Sequence, residues 1–189
     1  MPALDSHGLV ICQQVLAAFN NRGVARAAQG DRAGAIADFS EAIRLDPQDA
    51  TTFYNRGITR AEQGDRAGAI ADFSEAIRLN PQYATAFNNR GLARRGQGDT
   101  AGAIADFSEA IRLSPQHATA LINRGITRRG QGDTTGAIAD FGEAIRLNPQ
   151  DARAFYNRGN ARAAQGDRAG AIADYSEAIR LNPQYATAF

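Results

Sequence analysis

Apolar residues recur along the chain at helical spacing, in two kinds of segment. In the stretch ending at Leu79, Ala69, Phe73, Ala76 and Ile77 stand at i, i+4, i+7 and i+8, on one side of an α-helix. In the stretch before it, Phe53 and Gly57 lie four residues apart and define the stripe of a second helix. Between them stand Gly64 and Asp65. The glycine is placed to end the first helix in the left-handed conformation, and the aspartate to cap the next through its carboxylate. Pro81 then blocks continuation. The pattern predicts a helix from about Thr51 to Gln63 and another from about Ala67 to Leu79, packed antiparallel. Small residues (Gly57, Ala69) admit the neighbouring helix and large ones (Phe53, Phe73) fill the gaps.

This unit occurs five times with a step of 34 residues, closing at Pro47, Pro81, Pro115, Pro149 and Pro183. A helix pair this small cannot bury its apolar face alone, so the pairs are expected to stack into an array. The expected divisions are a lead with the first-helix extension at 1–15, repeats at 16–49, 50–83, 84–117, 118–151 and 152–186, and the start of a sixth repeat at 187–189. Leu9, Cys12, Leu16, Phe19 and Gly23 fall near helical spacing. They predict a first helix longer than its counterparts, capped by Ser6 and covering the N-terminal end of the stack. Gly68 and its counterparts occupy the first turn of each second helix, where glycine is unfavourable. Their recurrence suggests close contact with the first helix.

These residues resemble the tetratricopeptide repeat (TPR) pattern. Phe53, Gly57, Ala69, Phe73, Ala76 and Pro81 stand in its register, and the resemblance covers about residues 16–186. It implies an all-α fold, a right-handed superhelical α-solenoid of antiparallel helix pairs. It also implies a concave groove, lined by the first helix of each repeat, where peptides or partner helices bind. The chain departs from the family pattern at Arg56 and Arg60, repeated as Arg22/Arg26, Arg90/Arg94, Arg124/Arg128 and Arg158/Arg162. These arginines stand on or beside the packing face, where unpaired burial is costly. Asp72 and Glu75, with their equivalents, are the expected partners in an arginine–carboxylate ladder; an anion-binding stripe is the alternative.

Differences among the copies concentrate on one arc of the first helix, roughly opposite Phe53 and Gly57. The variable residues include Tyr54, Asn88, Ile122 and Tyr156 just before the repeated asparagine. Ile58, Leu92, Ile126 and Asn160 follow the glycine, and Arg95 and Arg129 stand further along. The resemblance makes this arc the groove. One groove residue is constant: Asn21, Asn55, Asn89, Asn123 and Asn157. A side-chain amide donates and accepts at once, so such a row can hold the backbone of an extended peptide, or satisfy local groups instead. Apolar anchors beside Arg95, Arg129 and Arg153 suit a peptide with an acidic group. The lysine-rich carboxylate clamp of chaperone-tail-binding members is absent.

Composition narrows the function. The 189 residues carry a net charge of +1, from 21 basic and 20 acidic residues, which argues against nucleic-acid or membrane-surface binding. Cys12 is the only cysteine, so no internal disulfide or thiolate zinc cluster is available. His7 and His117 are isolated. The segments Gly96-Gln97-Gly98-Asp99 and Gly130-Gln131-Gly132-Asp133 follow helices and lack a phosphate-binding lysine, so they are turns rather than phosphate loops. No nucleophile motif stands out. The expectation is a cytoplasmic, non-enzymatic scaffold without cofactors whose ligand is a protein or peptide. The alternative is structural self-assembly: Ile172, Tyr175 and Ile179 of the last repeat would be exposed, forming a homo-oligomer through the C-terminal end.

Overall fold

A turn of two or three residues ending in Gly-Asp joins the helices of each pair, and its chemistry sets their geometry. In the computed structural model, which describes residues 6–184 and side chains from 13, the glycines at these turns all have positive φ. Gly64 sits at φ 90°, a conformation that costs a side-chain-bearing residue about 1–2 kcal/mol. The next residue turns the chain into a new helix: the Asp65 carboxylate accepts a hydrogen bond from Gly68 N at 2.9 Å. Such a cap contributes about 1 kcal/mol.

Among the described residues the chain forms ten helices. They are α1 (Ser6–Ala28), α2 (Arg32–Leu45), α3 (Ala50–Gln63), α4 (Arg66–Leu79), α5 (Ala84–Gly96), α6 (Thr100–Leu113), α7 (Ala118–Gly130), α8 (Thr134–Leu147), α9 (Ala152–Ala164) and α10 (Arg168–Leu181). The chain divides into two units, Met1–Ala93 and Arg94–Phe189. In the first, α1 packs on α2, α2 on α3 and α3 on α4; in the second, α6 packs on α7, α7 on α8, α8 on α9 and α9 on α10.

Antiparallel pairing follows from which residues meet. Gly57 and Phe73 lie at similar distances from the α3–α4 turn, and a Cβ added to Gly57 would sit 2.7 Å from the Phe73 ring. The ring occupies the space that the missing side chain leaves. Phe39, Phe73, Phe107 and Phe141 are each at most 1% exposed and flanked by buried alanines such as Ala69 and Ala76. Burying one such ring stabilises the fold by about 1.5–3 kcal/mol.

The first-helix stripe is broader than Phe53 and Gly57. Thr52 and Thr59 are buried, and Phe53 only half-buried. Their equivalents, Ala86/Ala93, Ala120/Thr127 and Ala154/Ala161, are buried too. A small residue every seventh position lets helices approach closely along a second line of contact. Its sequence signal is that these places hold only Ala or Thr in those copies.

Gly68 lies close to the first helix, as expected, and to its own cap as well. A Cβ there would clash with the cap oxygen Asp65 Oδ2 and lie 2.9 Å from Arg60 Cδ. Glycine leaves room for the cap and for one side chain of the first helix.

Helix α1 has 23 residues against 13 or 14 in the others, as expected of an extended first helix. The side chains of Ser6, Leu9 and Cys12, and the sixth-repeat start at 187–189, lie outside the described residues. Ile172 and Ile179 on α10 are exposed, whereas Tyr175 is half-buried. Its ring lies 6.0 Å from that of Tyr156, and its hydroxyl donates to Asn160 Oδ1 at 2.8 Å.

One cap is a histidine. His117 begins α7, its Nδ1 accepting from Ala120 N at 3.4 Å, and Nε2 is buried without a partner. Burial holds its pKa below the ordinary value. The cap needs neutral imidazole, so its contribution is full above the unfolded value, near 6.5, and is lost as pH falls through the folded one. A His117→Asp variant should show less acid destabilisation than the parent between about pH 7.5 and 5.5, by roughly 1 kcal/mol in urea melts.

Candidate functional site

The repeated arginines are structural. Asp72 is 3% exposed, on the buried side of α4 next to Phe73. It receives Arg56 through two bonds, Nε to Oδ2 at 2.9 Å and Nη2 to Oδ1 at 2.7 Å, and Arg60 Nη1 at 2.9 Å. Arg22/Arg26 on Asp38, Arg124/Arg128 on Asp140 and Arg158/Arg162 on Asp174 repeat the arrangement. Arg94 closes on Asp106 at 3.0 Å. The Arg22 hydrogen bond holds the Asp38 carboxyl below its ordinary pKa, against the opposing effect of burial.

The ladder therefore exists, but its second acid is the cap residue rather than Glu75: Arg60 Nε lies 3.7 Å from Asp65 Oδ2, and Arg26, Arg94, Arg128 and Arg162 repeat the contact. Glu75 turns instead to Arg78 on its own helix, at 2.6 Å in an exposed i,i+3 pair. Such a pair contributes about 0–1 kcal/mol. Arg78 lies one turn away, while α3 meets the face that Asp72 occupies. The seam also links consecutive repeats: Arg56 Nη1 reaches Ser40 Oγ at 3.0 Å, and Arg124 Nη1 reaches Ser108 Oγ at 3.0 Å.

The expected groove residues lie on the first helices in varied settings. In the first unit, Asn21 is exposed, Tyr54, Asn55, Ile58, Asn89 and Leu92 are half-buried, and Asn88 is buried. In the second, Arg95, Ile126, Arg129, Tyr156, Asn157 and Asn160 are half-buried, and Ile122 and Asn123 are buried. Asn88, Ile122 and Asn123 thus lie beneath the surface.

Two clusters form. In the first unit, Asn89 Nδ2 donates to the Tyr54 hydroxyl at 3.0 Å, and Asn88 Nδ2 donates to Asn89 Oδ1 at 3.1 Å. The Tyr54 ring stacks 4.8 Å from Tyr83. Burial raises the Tyr83 pKa, helped by Tyr54 and Asp49. Tyr83 was not among the expected residues; its signal is an aromatic one place before α5, in register with Asp49, His117 and Asp151. In the second unit, Tyr156, Tyr175 and Asn160 form the other cluster. Asn157 Nδ2 donates to its own helix at Arg153 O, 2.8 Å away. The constant asparagines thus have local partners at Asn89 and Asn157. Arg153 pairs with the cap residue Asp151 at 2.7 Å, so its charge is partly spent there.

Beside the first cluster lies a pocket of about 290 Å³. Ile58, Ala61, Phe73, Leu92 and Ala93 make it apolar, and Glu62, Arg66 and Asn89 add polar groups. Among the described residues no group of His, Cys, Asp and Glu could hold a metal ion, and no helix is long and apolar enough to cross a membrane.

Stacked antiparallel helix pairs with a repeated, punctuated seam define an α-solenoid. The tetratricopeptide repeat family profile matches residues 54–118 and 122–186, and a second TPR repeat profile matches residues 23–64. The chain belongs to the tetratricopeptide repeat family, a fold that serves as a protein-interaction scaffold. Among solved structures it is similar to MamA, with 25% identity and a TM-score of 0.81 over 87% of this chain and 96% of the other. MamA 41-end from Desulfovibrio magneticus RS-1 is 19% identical, with a TM-score of 0.82 over 89% and 96%. YrrB, described as a TPR protein with an unusual peptide-binding site, is 22% identical, with a TM-score of 0.73 over 87% and 85%. No curated protein sequence matches the chain.

Proposed function

We propose that this scaffold holds an extended peptide or helix of a partner protein against the variable faces of its first helices, repeat by repeat along the divisions read from the sequence. The pocket formed by Ile58, Leu92 and Phe73 carries this reading. It is apolar, and its volume suits one anchoring side chain. Asn89 and Glu62 at its wall supply hydrogen-bonding groups for orientation. Asn55 and Tyr54 extend the same face. That YrrB is described as having a peptide-binding site on the same fold is consistent with this reading. The described helices suggest a soluble protein, and the composition suggests the cytoplasm.

The test uses a change the fold already accepts. Ala61 is in register with Arg95 and Arg129, so Ala61→Arg fills the pocket with a residue that two other copies carry there. On an array of synthetic peptides, the parent should retain a set with apolar anchors. Ala61→Arg should weaken these by about tenfold or more at unchanged thermal stability, the scale of one lost anchor. Retention of the same peptides by Ala61→Arg would remove the pocket from the mechanism.

A further inference from the structure

Most half-buried arginines among the described residues close on acids. Arg56, Arg60, Arg124, Arg128, Arg158 and Arg162 each meet a buried aspartate within 3.0 Å. Arg95 and Arg129 are half-buried too, yet neither makes an ion pair or hydrogen bond among the described residues. Arg95 Nη1 is buried with no hydrogen-bond partner at all. A guanidinium in that position has lost water without gaining an acceptor, a state that favours capture of an anion. Burial lowers the Arg95 pKa, in keeping with the missing partner.

The two residues occupy the same place in consecutive first helices, six residues beyond Asn89 and Asn123. A bond across the repeats holds their ends together. Gln131, two residues past Arg129, donates through Nε2 to Thr100 Oγ1 at 2.7 Å, at the start of the helix that follows Arg95. With the two turns tied by that bond, two long arginine side chains can serve one carboxylate or neighbouring carboxylates of one strand. The fold does not need these charges, because Ala27, Ala61 and Ala163 fill the same register in the other three copies. Charge without an internal anion, placed where the backbone accepts alanine, is best explained by a ligand.

We infer that Arg95 and Arg129 form an acceptor site for carboxylates, which selects an acidic segment of the partner peptide. The inference rests on the peptide-binding reading of the first-helix faces and gives that partner its charge. The site is built from residues other than those that line the pocket at Ile58 and Leu92.

Three labelled synthetic peptides test it by fluorescence anisotropy: one alternating Leu and Glu, one with Gln for Glu, one with Lys for Glu. The parent should bind the Glu peptide at least about tenfold more tightly than the Gln peptide, and the Lys peptide more weakly still. Arg95→Ala/Arg129→Ala should bring the Glu peptide down to the Gln level while leaving thermal unfolding unchanged. Equal binding of Glu and Gln peptides by the parent overturns the inference but leaves the groove reading standing. With no charge preference at this register, any loss caused by Ala61→Arg is then read as filling of the apolar pocket and reports on that reading separately. Failure of all three peptides to bind overturns both. Inorganic phosphate that binds the parent as tightly as the Glu peptide, and is lost in the double variant, overturns the peptide assignment in favour of a phosphate site.

Discussion

Asp72→Asn is expected to destabilise the protein by about 3–5 kcal/mol, the cost of leaving a buried ion pair without one partner. The carboxylate accepts three hydrogen bonds, from Nε and Nη2 of Arg56 and from Nη1 of Arg60. Both oxygens are used. An amide keeps the shape but offers one acceptor, and its NH₂ faces a guanidinium. Two cations are then held together without the anion between them. Arg56 also carries the link to Ser40 on the preceding helix pair, so the damage reaches across a repeat junction. In a repeat array, stability is roughly a sum of unit and interface contributions, so both suffer. Urea denaturation followed by circular dichroism measures the loss. Glu75→Gln, in the exposed pair with Arg78, is the matched control and should change stability by less than about 1 kcal/mol. Equal costs at the two positions would show that the buried ladder does not hold the seam.

Phe73→Ala should cost about 3–5 kcal/mol through lost burial and the cavity left behind. The ring is 1% exposed and lies where the Gly57 side chain would be, so the glycine it packs on offers no side chain to fill the space. The fifth repeat offers a finer version of the same experiment. There tyrosine replaces the phenylalanine, and Tyr175 hydroxyl finds Asn160 Oδ1 at 2.8 Å. In the second repeat the place of Asn160 is taken by Ile58. Phe73→Tyr alone therefore buries a hydroxyl against an aliphatic side chain, and adding Ile58→Asn should return part of the loss. A thermal-melt double-mutant cycle reads that coupling, and additive effects would disprove it.

The repeat, the helix pairs and their punctuation were legible in the sequence because each rests on local chemistry. Gly64 and Asp65 act within a few residues of themselves, and periodicity marked Ala69, Phe73 and Ala76. The partner of Glu75 was misread because two bases were available to it, and sequence spacing alone does not rank them. The i,i+3 neighbour Arg78 won, since Glu75 sits toward solvent while Asp72 sits beside Phe73. The line of Thr52 and Thr59 was missed because small residues carry little apolar signal. At the surface, the variable positions were visible as differences among copies. Burial of Asn88 and Ile122, the engagement of Asn89 by Tyr54 and the stack on Tyr83 depend on neighbouring helices. The pairing state of arginines likewise needs three dimensions: Arg94 and Arg95 are adjacent in sequence, yet one closes on Asp106 and the other has no partner.

The seam has a further consequence. Every first helix presents the same two arginines and every second helix the same aspartate, so the parts are interchangeable. Nothing in the charges tells Arg56 to choose Asp72 over the equivalent aspartate of another repeat or another molecule. What makes the choice is the tether. Only Gly64 and Asp65 separate α3 from α4, whereas four residues separate α2 from α3. So short a connection keeps the correct aspartate at a far higher local concentration than any competitor. The fidelity of assembly in this protein therefore resides in the glycine–aspartate turns, and lengthening one of them would open the way to exchange of helices between molecules.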